Sequence, residues 1–346
     1  MKAKTKKLVT GATGFVGFHV AAKLVNKGYD VRVLVRDEKA VPELSRMGAE
    51  IVKGDIRDFS SVSKAAKGCE EIYHLAADYR LWVPDPAGMY ETNVTGTVNV
   101  MKAALEAGAG KVVYTSSVGA LAPSRKNGPP SNENTPVSLS DMIGPYKRSK
   151  FLAGREVEKF AAKGLPVVIV NPSTPIGAMD RKPTPTGAMI VSFLNGKVPA
   201  YLDTGLNFVN VEDVAEGHLL AARYGRPGEK YILGGHNMTL KDFYSELAMA
   251  SGIKAPSFKV PYTPVLIAAY ISEGVSRFLT RKPPAIPLTG VKMAGKYMYY
   301  DSTKAQNELK MPKTPIKKAV MQAIEWFTGN GYVSARKIGV PICKKA

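Results

Sequence analysis

The first half of the chain alternates short apolar runs with amphipathic stretches. Runs rich in Val, Ile, Leu and Tyr lie at Lys7–Thr10, Val31–Val35, Glu50–Val52, Glu71–His74, Lys111–Thr115 and Pro166–Asn171. Strands that are apolar on both faces are typical of a parallel sheet covered by helices. Between these runs, Phe15–Lys27, Ala87–Ala107 and Tyr146–Lys163 have the apolar spacing of helices. The pattern therefore predicts an α/β fold with a doubly wound parallel sheet.

The second half of the chain changes in texture after Asn171. Residues 172–207 are rich in proline, glycine and threonine, which predicts loops arranged around a ligand and no further sheet. A helix at Val211–Tyr224 and a strand at Lys230–Gly235 are expected to return to the first sheet. Residues 239–330 are predicted to be mostly helical, with breaks at prolines. We therefore expect a first domain over 1–171 with returning segments near 206–235. A smaller domain over 172–205 and 236–333 and a tail at 334–346 complete the organisation.

The composition limits the class of protein and its location. Hydrophobic residues make up 45% and charged residues 22%, and no apolar run is long enough to span a membrane. The basic start at Lys2–Lys7 runs into a glycine-rich turn and not into the apolar region of a signal peptide. We expect a cytoplasmic protein. The formal charge of +19 favours anionic partners, but the basic residues are dispersed, so no nucleic acid is expected.

Metal-binding chemistry has little support in the sequence. Cys69 and Cys343 form no cysteine pair of metal-binding spacing. The four histidines are scattered along the chain, at His19, His74, His218 and His236. No metal site is predicted.

A glycine-rich motif, TGATGFVG, stands between the first strand and the first helix. Gly11 permits a tight turn, Gly14 lets the backbone approach a pyrophosphate, and Gly17 lets the helix pack close to the strand. Phosphate charge then faces the N–H groups at the helix start. This placement predicts a Rossmann dinucleotide site, and we expect further cofactor contacts from Thr13, Phe15 and Val16.

The end of the second strand, VRVLVRD, is where such folds read the adenosine ribose. An arginine at this point accommodates the 2′-phosphate of NADP, whereas an acid accepts the 2′-hydroxyl of NAD. Arg36 therefore favours NADP, and Asp37 leaves NAD as the alternative. Arg36 as an ordinary solvated residue is the other interpretation.

Weaker cofactor signals follow the next strands. Asp55 and Ile56 come after the third strand, where a carboxylate is placed to meet the adenine amino group, although Asp55 equally suits a helix N-cap. The small residues Ala76 and Ala77 after the fourth strand let the backbone run close to a cofactor. Asn93 in the next helix is a further candidate.

Tyr146 and Lys150 stand four apart in a predicted helix, so they share one face. A neighbouring ammonium is expected to lower the pKa of the phenol toward the range useful for acid–base catalysis. The fifth strand ends in Thr115, a further cofactor candidate, and is followed by Ser117, whose hydroxyl is placed to hold a substrate oxygen. These residues predict hydride transfer in which a cofactor carries the hydride and the protein supplies a proton path.

Together these motifs resemble the extended short-chain dehydrogenase/reductase family, of the NAD-dependent epimerase/dehydratase type. The resemblance implies that Ser117 is the catalytic serine, with Ser116 the less favoured occupant, that Tyr146 is the acid–base and that Lys150 is its partner. It also implies that Asn171, Pro172 and Ser173 line the nicotinamide and that the enzyme forms a homodimer through the helices at Ala87 and Tyr146.

Longer strings narrow the resemblance. AADYRLWVPDP, DMIGPYKRSKFLA, NPSTPIG, KPTPTG and YLDTGLNFVNVEDVAEGHLLA look like the hopanoid-associated sugar epimerases, which are similar to dihydroflavonol reductases. The implied substrate is a small-molecule or lipid-linked sugar-like group in hopanoid lipid biosynthesis.

One departure weakens the nucleotide-sugar reading. Sugar epimerases of this family usually carry an arginine two positions before the aromatic residue of a Y-I-H-V-type segment, where it grips the substrate diphosphate. Leu206 stands there, two before Phe208. An NADPH-dependent carbonyl reductase of dihydroflavonol-reductase type is therefore the alternative, and a non-catalytic protein that senses NADP(H) is the remote one.

The substrate pocket is expected over the carboxyl ends of the strands. Its predicted lining, besides Ser117, is Tyr79, Arg80, Trp82, Thr184, Thr186, Tyr201 and Asn210. Arg80 and Trp82 are equally interpretable as loop anchors. The apolar and basic stretch Tyr262–Lys282 is interpreted first as a packed helix and, as the alternative, as a contact with the inner surface of a membrane that holds a lipid substrate.

Overall fold

The computed structural model describes residues 5–124 and 128–333. Lys2, Lys4, Cys343 and the predicted tail at 334–346 lie outside these residues. The strands are β1 (Lys6–Thr10), β2 (Asp30–Val35), β3 (Glu50–Lys53), β4 (Glu71–His74), β5 (Lys111–Thr115), β6 (Val167–Pro172), β7 (Thr174–Ile176), β8 (Ala200–Leu202), β9 (Gly205–Asn210), β10 (Lys230–Leu233), β11 (His236–Thr239) and β12 (Phe258–Val260).

A seven-stranded parallel sheet in the order β10-β6-β5-β4-β1-β2-β3 organises the first part of the chain. This is the strand order of a Rossmann fold with one added strand at the β6 edge. The six strands predicted in the first half are confirmed with bounds that shift by no more than one residue, and the strand predicted at Lys230–Gly235 is confirmed but ends two residues earlier, at Leu233. The carboxyl ends of β1, β4, β5 and β6 therefore meet at one edge, around Thr10, His74 and Thr115.

The α-helices are α1 (Phe15–Asn26), α2 (Pro42–Arg46), α3 (Phe59–Ala66), α4 (Ala87–Tyr90), α5 (Gly96–Glu106), α6 (Gly144–Ala162), α7 (Pro185–Leu194), α8 (Val211–Tyr224), α9 (Leu240–Ser251), α10 (Tyr262–Val275), α11 (Leu288–Ala294) and α12 (Ile316–Gly329). The predicted helix over Ala87–Ala107 is interrupted by a π-helical turn, Glu91–Thr95, between α4 and α5.

Both faces of the large sheet are covered, which explains why its strands are apolar throughout. Val9, Val33 and Val170 face the layer of α1 and α8, where Leu24 and Val214 are fully buried. Leu8, Ile72, Val112 and Ile169 face the layer of α3, α5 and α6. Alternate residues of one strand thus pack into two separate hydrophobic cores, one on each face of the sheet.

The expectation of loops without a sheet over 172–207 is wrong. β7 pairs in parallel with β9, and β9 pairs in antiparallel fashion with β11, which gives a three-stranded sheet. Helix α7 begins at Pro185, and the hydroxyl of Thr184 caps it by accepting the N–H of Gly187. Short strands next to prolines lack a periodic pattern of their own, because their pairing comes from residues far away in the chain.

The second half of the chain has its own core. Phe193, Phe208, Phe243 and Phe327 are almost fully buried in it, and the rings of Phe208 and Phe243 stack at 4.0 Å between centroids. α10 packs mainly on α11 and fully buries only Ala269. None of the helices within residues 5–124 and 128–333 combines the length and apolar character that a bilayer crossing needs.

Candidate active site

The glycine-rich turn joins β1 to α1 and has almost no spare room. Gly11 has φ of +80°, and a Cβ on it would lie 2.5 Å from the backbone nitrogen of Ala76. A Cβ on Gly17 would overlap the carbonyl oxygen of Gly11. Gly14 is the N-cap of α1, and its N–H donates to that same carbonyl at 2.9 Å. The turn therefore brings a helix start, with its unpaired N–H groups, to the carboxyl edge of the sheet.

Side-chain placement around this helix start suits a phosphate. Thr13 is exposed, Phe15 is buried under the turn and Val16 is half-buried. The first turn of α1 contains no acidic residue. An anion at this position would meet backbone donors without a nearby carboxylate to repel it.

The end of β2 distinguishes Arg36 from its neighbour. The carboxylate of Asp37 accepts the N–H of Lys39 at 3.0 Å and caps the short helix Glu38–Ala40. Arg36 is exposed, and its guanidinium makes no hydrogen bond or ion pair with another described residue. The carboxylate of Asp37 is thus used as a helix cap, whereas the guanidinium of Arg36 is available to a ligand.

The residues after β3 are held by local contacts. Arg57 grips the carboxylate of Asp55, with Nη2 2.8 Å from Oδ2, and this hydrogen bonding lowers the pKa of Asp55. Asp58 caps α3 by accepting the N–H of Ser60 at 3.0 Å, so the N-cap interpretation of Asp55 is wrong. Ile56 is buried, and its carbonyl accepts the side-chain amide of Asn99.

A buried hydrogen-bond chain fixes the end of β4. The N–H of Ala76 donates to the hydroxyl of Thr10, which lies 2.8 Å from Nδ1 of His74, and Nε2 of His74 lies 3.0 Å from the hydroxyl of Thr97. Thr97 donates to the carbonyl of Asn93. Since Thr97 uses its proton there, Nε2 of His74 carries the ring hydrogen, and burial lowers the pKa of His74 to about 3. The sequence did not reveal this network.

Asn93 lies in the π-helical turn and connects the site to α6. Its side-chain oxygen accepts the N–H of Asp78 at 2.7 Å, and its amide donates to the carbonyl of Asp78 and to the hydroxyl of Ser149. Ser149 in turn donates to the carbonyl of Tyr146. These contacts use both amide hydrogens, so Asn93 positions the loop of Ala76 and Ala77 against the helix that carries Tyr146.

Ser117, Tyr146 and Lys150 converge at the carboxyl end of β5. Nζ of Lys150 donates to the carbonyl of Thr115 at 2.7 Å, and the hydroxyl of Ser117 accepts the N–H of Gly119 at 2.9 Å. The hydroxyl of Thr115 points away, 2.9 Å from Nε2 of His218. The side chain of Ser117 also acts to lower the pKa of Tyr146, which favours it over Ser116 as the partner of the phenol.

The electrostatics of this centre differ from the expectation. Burial raises the pKa of Tyr146, and the influence of Ser117 opposes this only in part. Burial also lowers the pKa of Lys150 to about 7. The pKa of the phenol is therefore raised and not lowered, because the desolvation of the phenolate dominates, and the lysine carries only part of its charge near neutral pH.

The segment after β6 contains unpartnered polar atoms next to this centre. Asn171 donates to the carbonyl of Ser117 at 2.9 Å, but its Oδ1 is buried and has no hydrogen-bond partner within residues 5–124 and 128–333. The hydroxyl of Ser173 is likewise buried without a hydrogen-bond partner among the described residues. Pro172, between the two, ends the strand. Buried polar atoms of this kind normally have partners. Together with the glycine turn and Arg36, they fit a bound dinucleotide whose amide end lies at Asn171 and Ser173.

A family model independently matches this architecture. The model of the NAD dependent epimerase/dehydratase family matches residues 7–234, which contain the glycine turn, the Ser–Tyr–Lys centre and the segment after β6. The chain belongs to the NAD dependent epimerase/dehydratase family. It is therefore an enzyme of the extended short-chain dehydrogenase/reductase type, with a nicotinamide dinucleotide as its cofactor.

Members of this family that resemble the whole chain have different names. A putative dihydroflavonol 4-reductase of Synechocystis sp. is 42% identical and covers 95% of this chain and 96% of its own. Sterol demethylase protein B of Methylococcus capsulatus is 31% identical and covers 94% and 99%. The crystal structure of gox2253 superposes with a TM-score of 0.84 at 45% identity and covers 96% of this chain and all of its own.

The substrate residues predicted for this epimerase/dehydratase chain do not converge on one pocket. Nε of Arg80 donates to the carboxylate of Asp78 at 2.9 Å, and the indole of Trp82 donates to Glu273 at 3.0 Å, so both behave as loop anchors. Asn210 is buried, where it caps α8 and donates to Gln322. Tyr201 packs against the second core.

The remaining candidates contact the loop before α7 or lie in α7 itself. The hydroxyl of Tyr79 reaches the carbonyl of Lys182 at 3.5 Å. Thr184 is bound to Asp180, a buried carboxyl whose pKa burial raises to about 6, and Thr186 is buried in the first turn of α7. No sequence pattern singled out Asp180, because its burial depends on the tertiary packing of its loop.

A cavity of about 330 Å³ lies beside the start of the catalytic helix. Gly144 and Pro145, immediately before Tyr146, form one side of it, and Glu273 of α10 forms the other. Trp82 and Arg148 also line it. Of the predicted substrate residues, Trp82 is the one placed in this cavity.

Proposed function

We propose that the chain is an NADPH-dependent carbonyl reductase. The observation that carries the proposal is the Ser117–Tyr146–Lys150 centre, which adjoins the unpartnered atoms of Asn171 and Ser173. The same centre serves reductases and epimerases of the family. Three features favour net reduction: the protonation of Tyr146, the surroundings of Arg36 and the presence of Leu206 in β9.

The protonation of Tyr146 is the first feature. A phenol whose pKa is raised by burial is protonated at neutral pH, which is the form that donates a proton to a carbonyl oxygen. Epimerisation begins with oxidation of a hydroxyl, which requires the deprotonated form. The protonated phenol thus agrees with the reductive direction.

The choice of cofactor is the second feature. Arg36 is free to bind a 2′-phosphate, and Asp37 is engaged in capping the next helix. Net reductions commonly draw on NADPH. The proposed cofactor is therefore NADPH, with NADH the alternative.

The third feature is the residue at the position where sugar epimerases bind the diphosphate of their substrate. Leu206 lies in β9 opposite Met238 and packs against the second core, so no cation stands at the position where sugar epimerases grip a diphosphate. The two relatives found above are named for a dihydroflavonol reductase and for a sterol demethylase protein. A nucleotide-free, largely apolar carbonyl compound suits these observations better than a nucleotide sugar.

Each residue of the centre has a separate role in the proposed reduction. NADPH, when bound between the glycine turn and Asn171, would supply the hydride that reduces the carbonyl carbon. Ser117 holds the carbonyl oxygen through its hydroxyl, and Tyr146 donates a proton to that oxygen as it becomes an alcohol. Lys150 donates to the carbonyl of Thr115 and so holds the helix that carries Tyr146 against the end of β5.

Several finer predictions stay predictions within this proposal. A sugar-like or lipid-linked substrate in hopanoid biosynthesis, a homodimer through α4–α5 and α6, and a cytoplasmic location belong to this group. The non-catalytic sensor is disfavoured, because a sensor has no use for a buried Tyr–Lys pair.

The experiment uses purified protein, NADPH or NADH and a panel of carbonyl compounds. The panel contains a dihydroflavonol, a 3-ketosteroid and, as the epimerase probe, UDP-glucose. Stoichiometric loss of NADPH absorbance with formation of an alcohol supports the proposal. Conversion of UDP-glucose to its epimer without net cofactor consumption contradicts it.

A further inference from the structure

Helix α10 and the π-helical turn after it, Ser276–Thr280, expose a continuous apolar stripe. The exposed fractions are 57% for Ile267, 65% for Ile271, 82% for Phe278 and 78% for Leu279. Ile267, Ile271 and Phe278 are spaced by about one or two helical turns and so share one side, and Leu279 directly follows Phe278 and widens the stripe at its end. Single exposed apolar residues are ordinary, but a contiguous stripe marks a surface that contacts something.

The charges around this stripe have one sign. Arg277, Arg281 and Lys282 are exposed at its end, and Nζ of Lys292 lies 5.0 Å from the ring centroid of Tyr270 beside it. The acid of the segment, Glu273, is turned toward the protein, where it accepts the indole N–H of Trp82. An apolar stripe with a basic border therefore faces outward.

We propose that this stripe, from Ile267 to Leu279, docks on an anionic lipid bilayer. A helix that lies in the membrane interface buries apolar side chains at the level of the acyl chains and places basic residues among the lipid head groups. A second copy of the chain is a poorer occupant. The copy would present the same stripe with the same basic border, so it offers no charge complementary to Arg277, Arg281 and Lys282, whereas an anionic bilayer does.

The docked helix also forms a wall of the cavity next to the catalytic helix. Glu273 and Arg277 of this segment line it from one side, and Gly144 and Pro145 line it from the other, immediately before Tyr146. One carboxyl oxygen of Glu273, Oε2, is buried without a hydrogen-bond partner among the described residues. If the proposed reductase function holds, on which this step rests, the substrate is a bilayer-resident carbonyl compound that enters through this cavity.

The docking test is flotation of the full chain with lipid vesicles. One set consists of phosphatidylcholine, and the other is an equimolar mixture of phosphatidylcholine and phosphatidylglycerol. The wild type is expected to float with the anionic set and to lose binding at high salt. The double variant Phe278→Ser/Leu279→Ser and the double variant Arg281→Glu/Lys282→Glu should each reduce the bound fraction about tenfold or more.

The matched control is Leu105→Ser/Met249→Ser, which removes exposed apolar side chains from α5 and α9. It should float like the wild type. Thermal unfolding of each variant shows whether it remains folded. Equal flotation by the Phe278 and control variants, or a wild type that stays in the aqueous fraction with both vesicle sets, overturns the proposal. A dimer in solution that Phe278→Ser/Leu279→Ser dissociates overturns it in favour of a second copy.

Turnover separates this inference from the proposed function. With a water-soluble ketone, Phe278→Ser/Leu279→Ser should consume NADPH at the wild-type rate. With a ketosteroid in anionic vesicles, its rate should fall about tenfold. Flotation without any NADPH turnover would refute the reductase proposal and leave docking intact. If the wild type and Phe278→Ser/Leu279→Ser turn over at equal rates both with the water-soluble ketone and with the ketosteroid in vesicles, delivery of the substrate from the membrane would be refuted.

Discussion

Nζ of Lys150 donates a hydrogen bond to the backbone carbonyl of Thr115 at 2.7 Å, in a pocket where the lysine is 3% exposed. This contact ties the catalytic helix α6 to the end of β5, two residues before Ser117. The pocket solvates the ammonium poorly, which is why its pKa falls to about 7.

Lys150 should make the stability of the cofactor-free protein depend on pH. The unfolded lysine keeps its proton to a pKa near 10.5, whereas the folded one loses it near 7. Between these values the unfolded state binds more protons, so the free energy of unfolding rises with pH. Urea denaturation between about pH 6 and about pH 9 should show that the free energy of unfolding of the wild type rises with pH. The rise should be smaller for Lys150→Met. Lys147, whose pKa burial lowers to about 8, contributes in the same direction in both proteins. Parallel pH curves for the two proteins would contradict the assignment.

Gly17 should tolerate no side chain. A Cβ there would overlap the carbonyl oxygen of Gly11, so Gly17→Ala is expected to lower the free energy of unfolding by about 1–3 kcal/mol and to weaken dinucleotide binding. Gly154 on α6 is the matched control, because a Cβ there meets nothing within 4 Å. Gly154→Ala should be neutral or slightly stabilising. Chemical denaturation and dinucleotide titration measure both, and similar effects of the two substitutions would refute the close-packed turn.

Arg36 should discriminate between the two cofactors. Arg36→Asp removes a charge-assisted phosphate contact and is expected to weaken NADPH binding about tenfold to a hundredfold, with a smaller effect on NADH. Lys102→Asp on the exposed side of α5 makes the same change in net charge and serves as the control. Fluorescence titration with NADPH and with NADH gives two dissociation constants for each protein, and their ratio measures the discrimination. A loss that is equal for NADPH and NADH would rule out a 2′-phosphate contact.

The sequence reveals those parts of the fold and site that depend on local pattern. Strands such as β6 are apolar on both faces, and this predicts the parallel sheet. Because parallel strands end at one edge, Ser117 after β5 and Tyr146 in the following helix could be placed together before any coordinates were known.

What the sequence could not predict depends on burial and on distant partners. The pKa of Tyr146 is set by desolvation, which no spacing of residues encodes. Arg80 binds Asp78, two positions away, and Asn210 caps α8, so both are engaged in local contacts instead of lining a pocket. Strands β7 and β9 form only because residues far apart in the chain pair with each other.

The most direct test of the reductase account compares Tyr146→Phe with the wild type. The substitution removes one hydroxyl from a residue that should donate the proton to the substrate oxygen. With NADPH and a ketone that the wild type reduces, the turnover number should fall about a hundredfold to ten-thousandfold. NADPH affinity, measured by titration, should stay unchanged. Turnover by Tyr146→Phe within a few-fold of the wild type would show that Tyr146 is not the proton donor and would contradict the account.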